Sequence, residues 1–518
     1  MEIRYLEIGF RLFEIKGSLR LLWSKKMSIL AEMFFYVCSQ DLMTVLMYSV
    51  FAILPIVGIA ATGNLSSGCS CANSPDGGGN DEPRDIEPLK KRVTELESMS
   101  VRSIEQNEEL SDIYIELANV AYDECEAIET IVMLLNRAEK ILKSTLAQGE
   151  DTEIRRRLGN VYLHRAVTYN DFDELDLAID SYNTALATFK PLDESGDGEA
   201  KYDIAGIQLN RGTIYHEKGE FLKAKTEFDE SFLAFRAVEK ISDLDTRYFM
   251  AKVSIAQGTL FRDMGEPLEK VVDAYNRAMR LLVELIDIGQ MEHERELANV
   301  LMDRCTATYE SYRLYKFESE TERINKIGDV LIDVGRGIEI LDRIVKADPQ
   351  FDSRIDLFNA ITTEGSILLD IDNFEEAIKA FDRAINEFAE FADADDPVLL
   401  LHFSSALANR AICLVKTNKF DDALIDSSES IKVLEKVQNA DLGLDDEEKD
   451  LFQLQMISYY ANRSNIFKAI GNKNEAAKDY ENGIRIIEKL KKDFGEELSS
   501  ISETYKTLKE QIDDLSDK

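Results

Sequence analysis

The sequence predicts an all-α fold, an α-solenoid of antiparallel helix pairs ending in a C-terminal capping helix. The main observation is the stretch NFEEAIKAFDRAI, residues 373–385, which puts Ala377, Phe381 and Ala384 on one helical face at spacings of four and three. The same register recurs as Ala178/Tyr182/Ala185, Ala224/Phe228/Ser231, Val271/Tyr275/Ala278, Ala423/Ser427/Ser430 and Ala476/Tyr480/Gly483. Composition agrees. With 8 Pro, 26 Gly, 45% hydrophobic and 31% charged residues, a long helical body is favoured over a disordered chain.

In chain order, residues 1–41 form a leader that mixes apolar and basic residues and holds the only tryptophan, Trp23. Leu42 to Ala61 carry no charge over 20 residues, enough for a helix to cross the roughly 30 Å of a bilayer core. This segment is expected to be a transmembrane or signal helix, with a buried core helix as the alternative. Lys25 and Lys26 precede it and no Lys or Arg follows until Arg84, which points the leader to the cytoplasm and the rest of the chain outward. Residues 62–88, rich in Gly, Pro and Asp, read as a flexible linker. Leu89, Val93 and Leu96 then open a short amphipathic helix.

Residues 89–490 form the array, of about eight units. Its clearest unit is QLNRGTIYHEKGEFLKAKTEFDESF, residues 208–232, with Gly212 for close helix contact, Gly219 at the turn, then Ala224 and Phe228. Small residues let two helices touch, an aromatic fills the space between them, and Gly permits a left-handed C-cap. Neither helix buries its apolar face alone, so the next unit must cover it. The interval between Val271 and Ala377 leaves room for one further unit, with Gly337, Leu341 and Ile344 in its second helix and a loose stretch near Phe317–Arg323 before it. Acidic loops are expected at 192–203 and 439–450. Residues 491–518, with Ile501, Tyr505, Leu508 and Ile512, fit a capping helix for the open end.

This small–aromatic–small arrangement resembles the second helix of a tetratricopeptide repeat, and the resemblance covers roughly residues 108–490. The units here are longer than the 34 residues of that repeat. The resemblance implies a protein-binding scaffold without a catalytic step. It also implies that Asn210, Asn409 and Asn462, each followed by Arg and a small residue, face a concave groove where an amide would bind an extended peptide. His164, in His164-Arg165-Ala166, stands at the same position. The other reading is that Asn and Arg tie neighbouring repeats together. Co-chaperone repeats that clamp a carboxylate also use Lys and Asn on the repeat before and Lys or Arg on the repeat after; around Asn409 these positions hold Thr362 and Ser366 before and Ser458 and Asn462 after, so the cationic part is missing.

The net charge of −37 argues against nucleic acid as a partner. Four histidines, none in a metal-binding spacing, and no nucleophile elbow or phosphate loop give no expectation of a cofactor, a metal or an enzyme. Cys125, Cys305 and Cys413 read as small buried residues. Cys69 follows small residues in a way that resembles a bacterial lipoprotein processing site, so lipidation at Cys69 is an alternative anchor. The expected function is a membrane-tethered scaffold binding protein partners outside the cytoplasm. The alternative is a structural component of the cell envelope acting by self-association.

Overall fold

A computed structural model describes residues 86–494, apart from 125, 150, 239–242, 315–318, 350, 390–396 and 440–445, together with 508, 509, 511 and 512. The expectations for residues 1–85, including the apolar segment 42–61 and Cys69, lie outside the described residues, as do Cys125, Ile501 and Tyr505.

Among the described residues the secondary structure is helical throughout. Helix α1 (Glu87–Glu97) leads into α2 (Ile104–Asp123) and α3 (Ile128–Leu146), then α4 (Thr152–Asp171) and α5 (Leu175–Glu194). There follow α6 (Gly198–Glu217) and α7 (Phe221–Val238), then α8 (Asp243–Asp263) and α9 (Leu268–Asp287). After a 3-10 turn come α10 (Glu294–Leu314) and α11 (Glu320–Ala347), then α12 (Phe351–Asp370) and α13 (Phe374–Ala389). The last four are α14 (Pro397–Lys416), α15 (Phe420–Asn439), α16 (Asp446–Ala469) and α17 (Lys473–Phe494). From α2 onward they form pairs, an even-numbered first helix and an odd-numbered second one. The described residues divide into two compact units, one ending at Val300 and the other beginning at Leu301.

Among the described residues six of the turns inside pairs use one left-handed residue. Gly219, Gly265 and Gly471 have φ of 71°, 68° and 82°, and Asp173, Asp372 and Asn418 take the same place at 60°. Only Gly, Asn and Asp enter this region readily, which is why these types recur there. Gly219 N–H then bonds the His216 carbonyl and Glu220 N–H the Tyr215 carbonyl, closing the end of α6.

The small and aromatic residues meet as their spacing predicts. Ala178, Ala224, Ala377 and Ala476 have no exposed surface, nor do Phe228, Tyr275, Phe381 and Tyr480. A Cβ placed on Gly212 would lie 2.6 Å from Phe228, on Gly258 2.8 Å from Tyr275, and on Gly365 2.8 Å from Phe381. The first-helix glycine is therefore the floor on which the second-helix ring rests. Cys305 and Cys413 are buried, and burial pushes both thiols up to about 12.

Four expectations need correction in detail. The stripe in α11 sits two turns earlier than Gly337/Leu341/Ile344. Cys305 donates to the Val330 carbonyl as Ser464 donates to that of Ala476, which aligns Val330, Val334 and Gly337 with the +4/+3 register. Leu341 is buried as well, because the 28-residue α11 carries its apolar stripe further. The loose stretch is shorter than Phe317–Arg323, because the Ser319 hydroxyl accepts from Glu322 N–H and starts α11 at Glu320. The acidic loop 192–203 is largely helical, because Asp197 caps α6 by accepting from Glu199 and Ala200 N–H. At the other acidic segment, residues 440–445 lie outside the described residues, and α16 has begun by Asp446.

Both ends of the array are covered. Arg92 of α1 forks onto Glu109 at 2.7 and 2.8 Å, and Leu96 is fully buried. At the other end, Leu508 is buried against Gly483 and Gln511 accepts from Lys468. The helix Leu399–Lys416 is apolar and long enough to cross a membrane, but 72% of it is buried inside the fold.

Two outcomes follow from this packing. Gly365→Ala should lower the urea midpoint, because strain of about 1–3 kcal/mol outweighs a helix-propensity gain of about 1 kcal/mol. Gly328→Ala in α11, where nothing lies within 4 Å of the new Cβ, should raise it. Asp203 is held up to about 6 by burial, with Glu199 and Asp197 adding to it and Arg156 opposing. Between about pH 4 and 6 its folded carboxyl keeps a proton that the unfolded chain has released, so its contribution to stability falls as pH rises. Asp203→Asn should therefore gain about 1–2 kcal/mol above pH 6 and nothing below pH 4 in a pH series of unfolding curves.

Candidate functional site

The residues flanking each helix contact form a second repeated pattern. On four first helices the residue before the small position is an arginine whose guanidinium reaches the acid just before the aromatic position of its own second helix. Arg211 bonds Glu227 at 2.6 Å and Arg304 bonds Asp333 at 2.5 Å. Arg410 forks onto Asp426 with two bonds of 2.7 Å, and Arg463 onto Asp479 at 2.7 and 2.8 Å. The Asp426 and Asp479 carboxylates are only 6% and 4% exposed. Planar two-bond pairing is the strong form of this interaction.

The same arginines reach backwards. Arg211 also donates to Asn183 of α5 at 2.6 Å, and Arg410 to Asp382 of α13 at 2.7 Å. Arg463 reaches Ser428 of α15 at 3.4 Å. Arg165 has Ser181 where the acid would be, and bonds only the preceding pair, through Asn136 and Glu139 of α3. In each case the backward partner Asn183, Asp382, Ser428 or Asn136 is the residue after the aromatic position. One guanidinium thus bolts its own pair shut and ties it to the pair before. The small Ser181 and the Ala274 and Ala380 at the equivalent sites of α9 and α13 leave those pairs without an inner acid; in the α8/α9 pair Gln257 bonds Asp229, and Arg277 bonds Gln257.

The residues before Arg165, Arg211, Arg410 and Arg463 are the predicted groove positions. The four differ. Asn210 is half-buried and lies beside the Tyr182 hydroxyl of the preceding pair. Asn409 has no exposed surface; its amide nitrogen lies 3.5 Å from Ser366 and its oxygen is buried without a partner. As a peptide contact Asn409 is therefore corrected, since the preceding aromatic is Phe381, which has no hydroxyl, and the side chain turns inward. Asn462 is half-buried, with both amide atoms shielded and unpartnered. His164 is half-buried, and burial lowers its pKa, so the ring is neutral at pH 7.

First helices of successive pairs lie directly against one another, α2–α4, α4–α6 and α6–α8 in one unit and α12–α14 and α14–α16 in the other. Side-chain bonds join this layer. Arg157 bonds Asp112 and Tyr122 bonds Asp171, each at 2.5 Å. His216 meets Asp263 at 2.8 Å and His402 meets Asn359 at 2.7 Å. The imidazole of His216 and the neighbouring Arg262 together hold the Asp263 carboxyl below its usual range against the opposing effect of burial. Among the described residues no three metal-ligating side chains converge. Sequence reasoning missed the arginine partners, although a signal existed in the acid sixteen residues after Arg211, Arg410 and Arg463.

Residues 457–490 match the family model for the tetratricopeptide repeat, a segment that contains Arg463, Ser464, Asp479 and Tyr480. No curated protein matches the chain. Among solved structures it is similar to BtubC (BKLC) from P. vanneervenii, at 18% identity over 51% of this chain and 93% of that one, with a TM-score of 0.40. It is similar to apo RapI at 14% identity over 83% and 99%, also with a TM-score of 0.40. It is also similar to aspartyl phosphate phosphatase F from Bacillus subtilis, at 12% identity over 80% and 95%, with a TM-score of 0.39.

Arg410→Met should cost about 3–5 kcal/mol, because it strands a buried carboxylate. Arg157→Met, whose partner Asp112 is 50% exposed, should cost less than about 1 kcal/mol. Urea unfolding of the two variants beside the parent gives the comparison.

Proposed function

We propose that this protein is a membrane-tethered scaffold whose first-helix layer binds protein partners without a catalytic step. The observation that carries the reading is that layer itself. Within each unit the first helices lie side by side and present polar positions at a repeat spacing, a surface suited to an extended or helical segment of a partner. His164 and Asn210 are the groove residues of this reading. Asn409 and Asn462, whose amide oxygens are shielded from solvent, are not offered to a partner. The neutral His164 ring can donate from one nitrogen and accept at the other, as a peptide backbone requires.

The tether is the uncharged segment 42–61, with the array outside the cytoplasm as the flanking Lys25 and Lys26 suggest. Lipid on Cys69 would serve the same purpose, and both arrangements leave the array free of the bilayer. A partner with a basic face suits the chain's strong negative charge, which speeds such an encounter and repels nucleic acid.

The test is affinity capture with the tagged full-length chain from its own membranes, beside a variant combining His164→Ala and Asn210→Ala. A partner captured in proportion by the parent and at least about tenfold less by an equally stable variant is the expected result, corresponding to about 1.4 kcal/mol. Equal capture by both would remove these residues from the groove. A bait that returns only its own copies would favour self-association. Deleting residues 1–61 should move the chain from the membrane pellet to the supernatant; a chain that stays in the pellet would contradict the tether.

A further inference from the structure

The second and seventh pairs differ at one equivalent place. In the second pair the Tyr182 side chain is buried on α5, with its hydroxyl beside Asn210 of the next first helix, α6. In the seventh pair Ser427 stands in Tyr182's place, and Asn462 of α16 stands in Asn210's. Where a ring and its hydroxyl would lie, a cavity of about 20 Å³ remains, lined in part by Ala411, Ser427, Tyr459, Asn462 and Asn465. Tyr459 takes up some of the missing volume, its hydroxyl held by Ser405 and Gln455 at 3.0 Å each.

The chemistry of the cavity wall is uneven. Most of it is apolar, but both amide atoms of Asn462 are shielded from solvent and have no protein partner. Neighbouring Asn465 is already engaged through its oxygen, which accepts from the Tyr480 hydroxyl at 2.7 Å. A buried amide with neither its donor nor its acceptor used is costly. A space of this size holds about one water molecule, and a water is stable where two or more polar groups converge on it.

We propose that this cavity is a binding site for a single water molecule. The Asn462 amide both donates to it and accepts from it, and the Ser427 hydroxyl is the third partner. The water does for the joint between the seventh and eighth pairs what the Tyr182 hydroxyl does between the second and third. Ser427, an exception in the aromatic register, is thereby matched to Asn462 through solvent.

The test is diffraction from crystals of the full chain, at a resolution that shows ordered solvent. The expected result is a water peak at hydrogen-bonding distance from the Asn462 amide. A cavity without a water peak would overturn the proposal, and so would an Asn462 amide turned onto a protein group. In crystals of the Asn462→Leu variant the water peak should vanish while the Arg463–Asp479 fork is unchanged. A water that persisted there would show that Asn462 does not hold it. If that variant does not fold, the parent's solvent peak decides alone.

Discussion

A ring resting on a residue with little or no side chain is the constraint on which the rest of this fold depends. Phe228 on Gly212, Tyr275 on Gly258 and Phe381 on Gly365 fix how closely two antiparallel helices approach. Once that distance is set, the positions on either side of it are set too. The residue before the small one lies level with the residue before the ring, and there an arginine meets an acid. The residue before the arginine faces back to the preceding pair. Packing thus decides where the polar bonds form, and the polar bonds decide the order in which pairs stack.

The arginines connect this local contact to the array. Buried ion pairs are weak sources of net stability but strong sources of register, because a mispaired array would leave a carboxylate buried alone. Four arginines close their own pair, and several of them also hold the pair before. A repeat protein is stable through its nearest-neighbour interfaces. Here a single guanidinium serves the interior of a pair and its interface together, so the two are not independent. Where the inner acid is replaced by Ser181, Ala274 or Ala380, the bonding to the preceding pair remains, through Arg165 or Gln257, or comes from Arg383, which bonds Asp342 of α11.

Much of this was legible in the sequence. Ala377, Phe381 and Ala384 announce a buried stripe because helical periodicity is local, and every such stripe found in α5, α7, α9, α13, α15 and α17 is buried. The turn residue Gly219 was legible for the same reason. What escaped was set by distance along the chain. Arg410 finds Asp426 sixteen residues later and Asp382 twenty-eight earlier, and no helical period links those positions. In α11 the long apolar run offered two registers, and the bonds from Cys305 to Val330 and from Arg304 to Asp333 choose between them. The candidate groove residues were identified by type and spacing, but burial was not readable: Asn409 has the same neighbours in sequence as Asn462 and lies fully inside.

The functional reading rests on the same geometry. A layer of first helices held rigid by its own bonds is a preformed surface, which lowers the ordering cost of binding. The central claim is that an arginine rung holds four of the pairs together, and a double-mutant cycle on Arg463 and Asp479 tests it most directly. Unfolding would be followed for Arg463→Met, Asp479→Leu and the double variant. A coupling energy of about 2 kcal/mol or more is predicted for a shielded two-bond pair. Effects that add to within about 0.5 kcal/mol would mean that the fork contributes nothing of its own, and the account would fail.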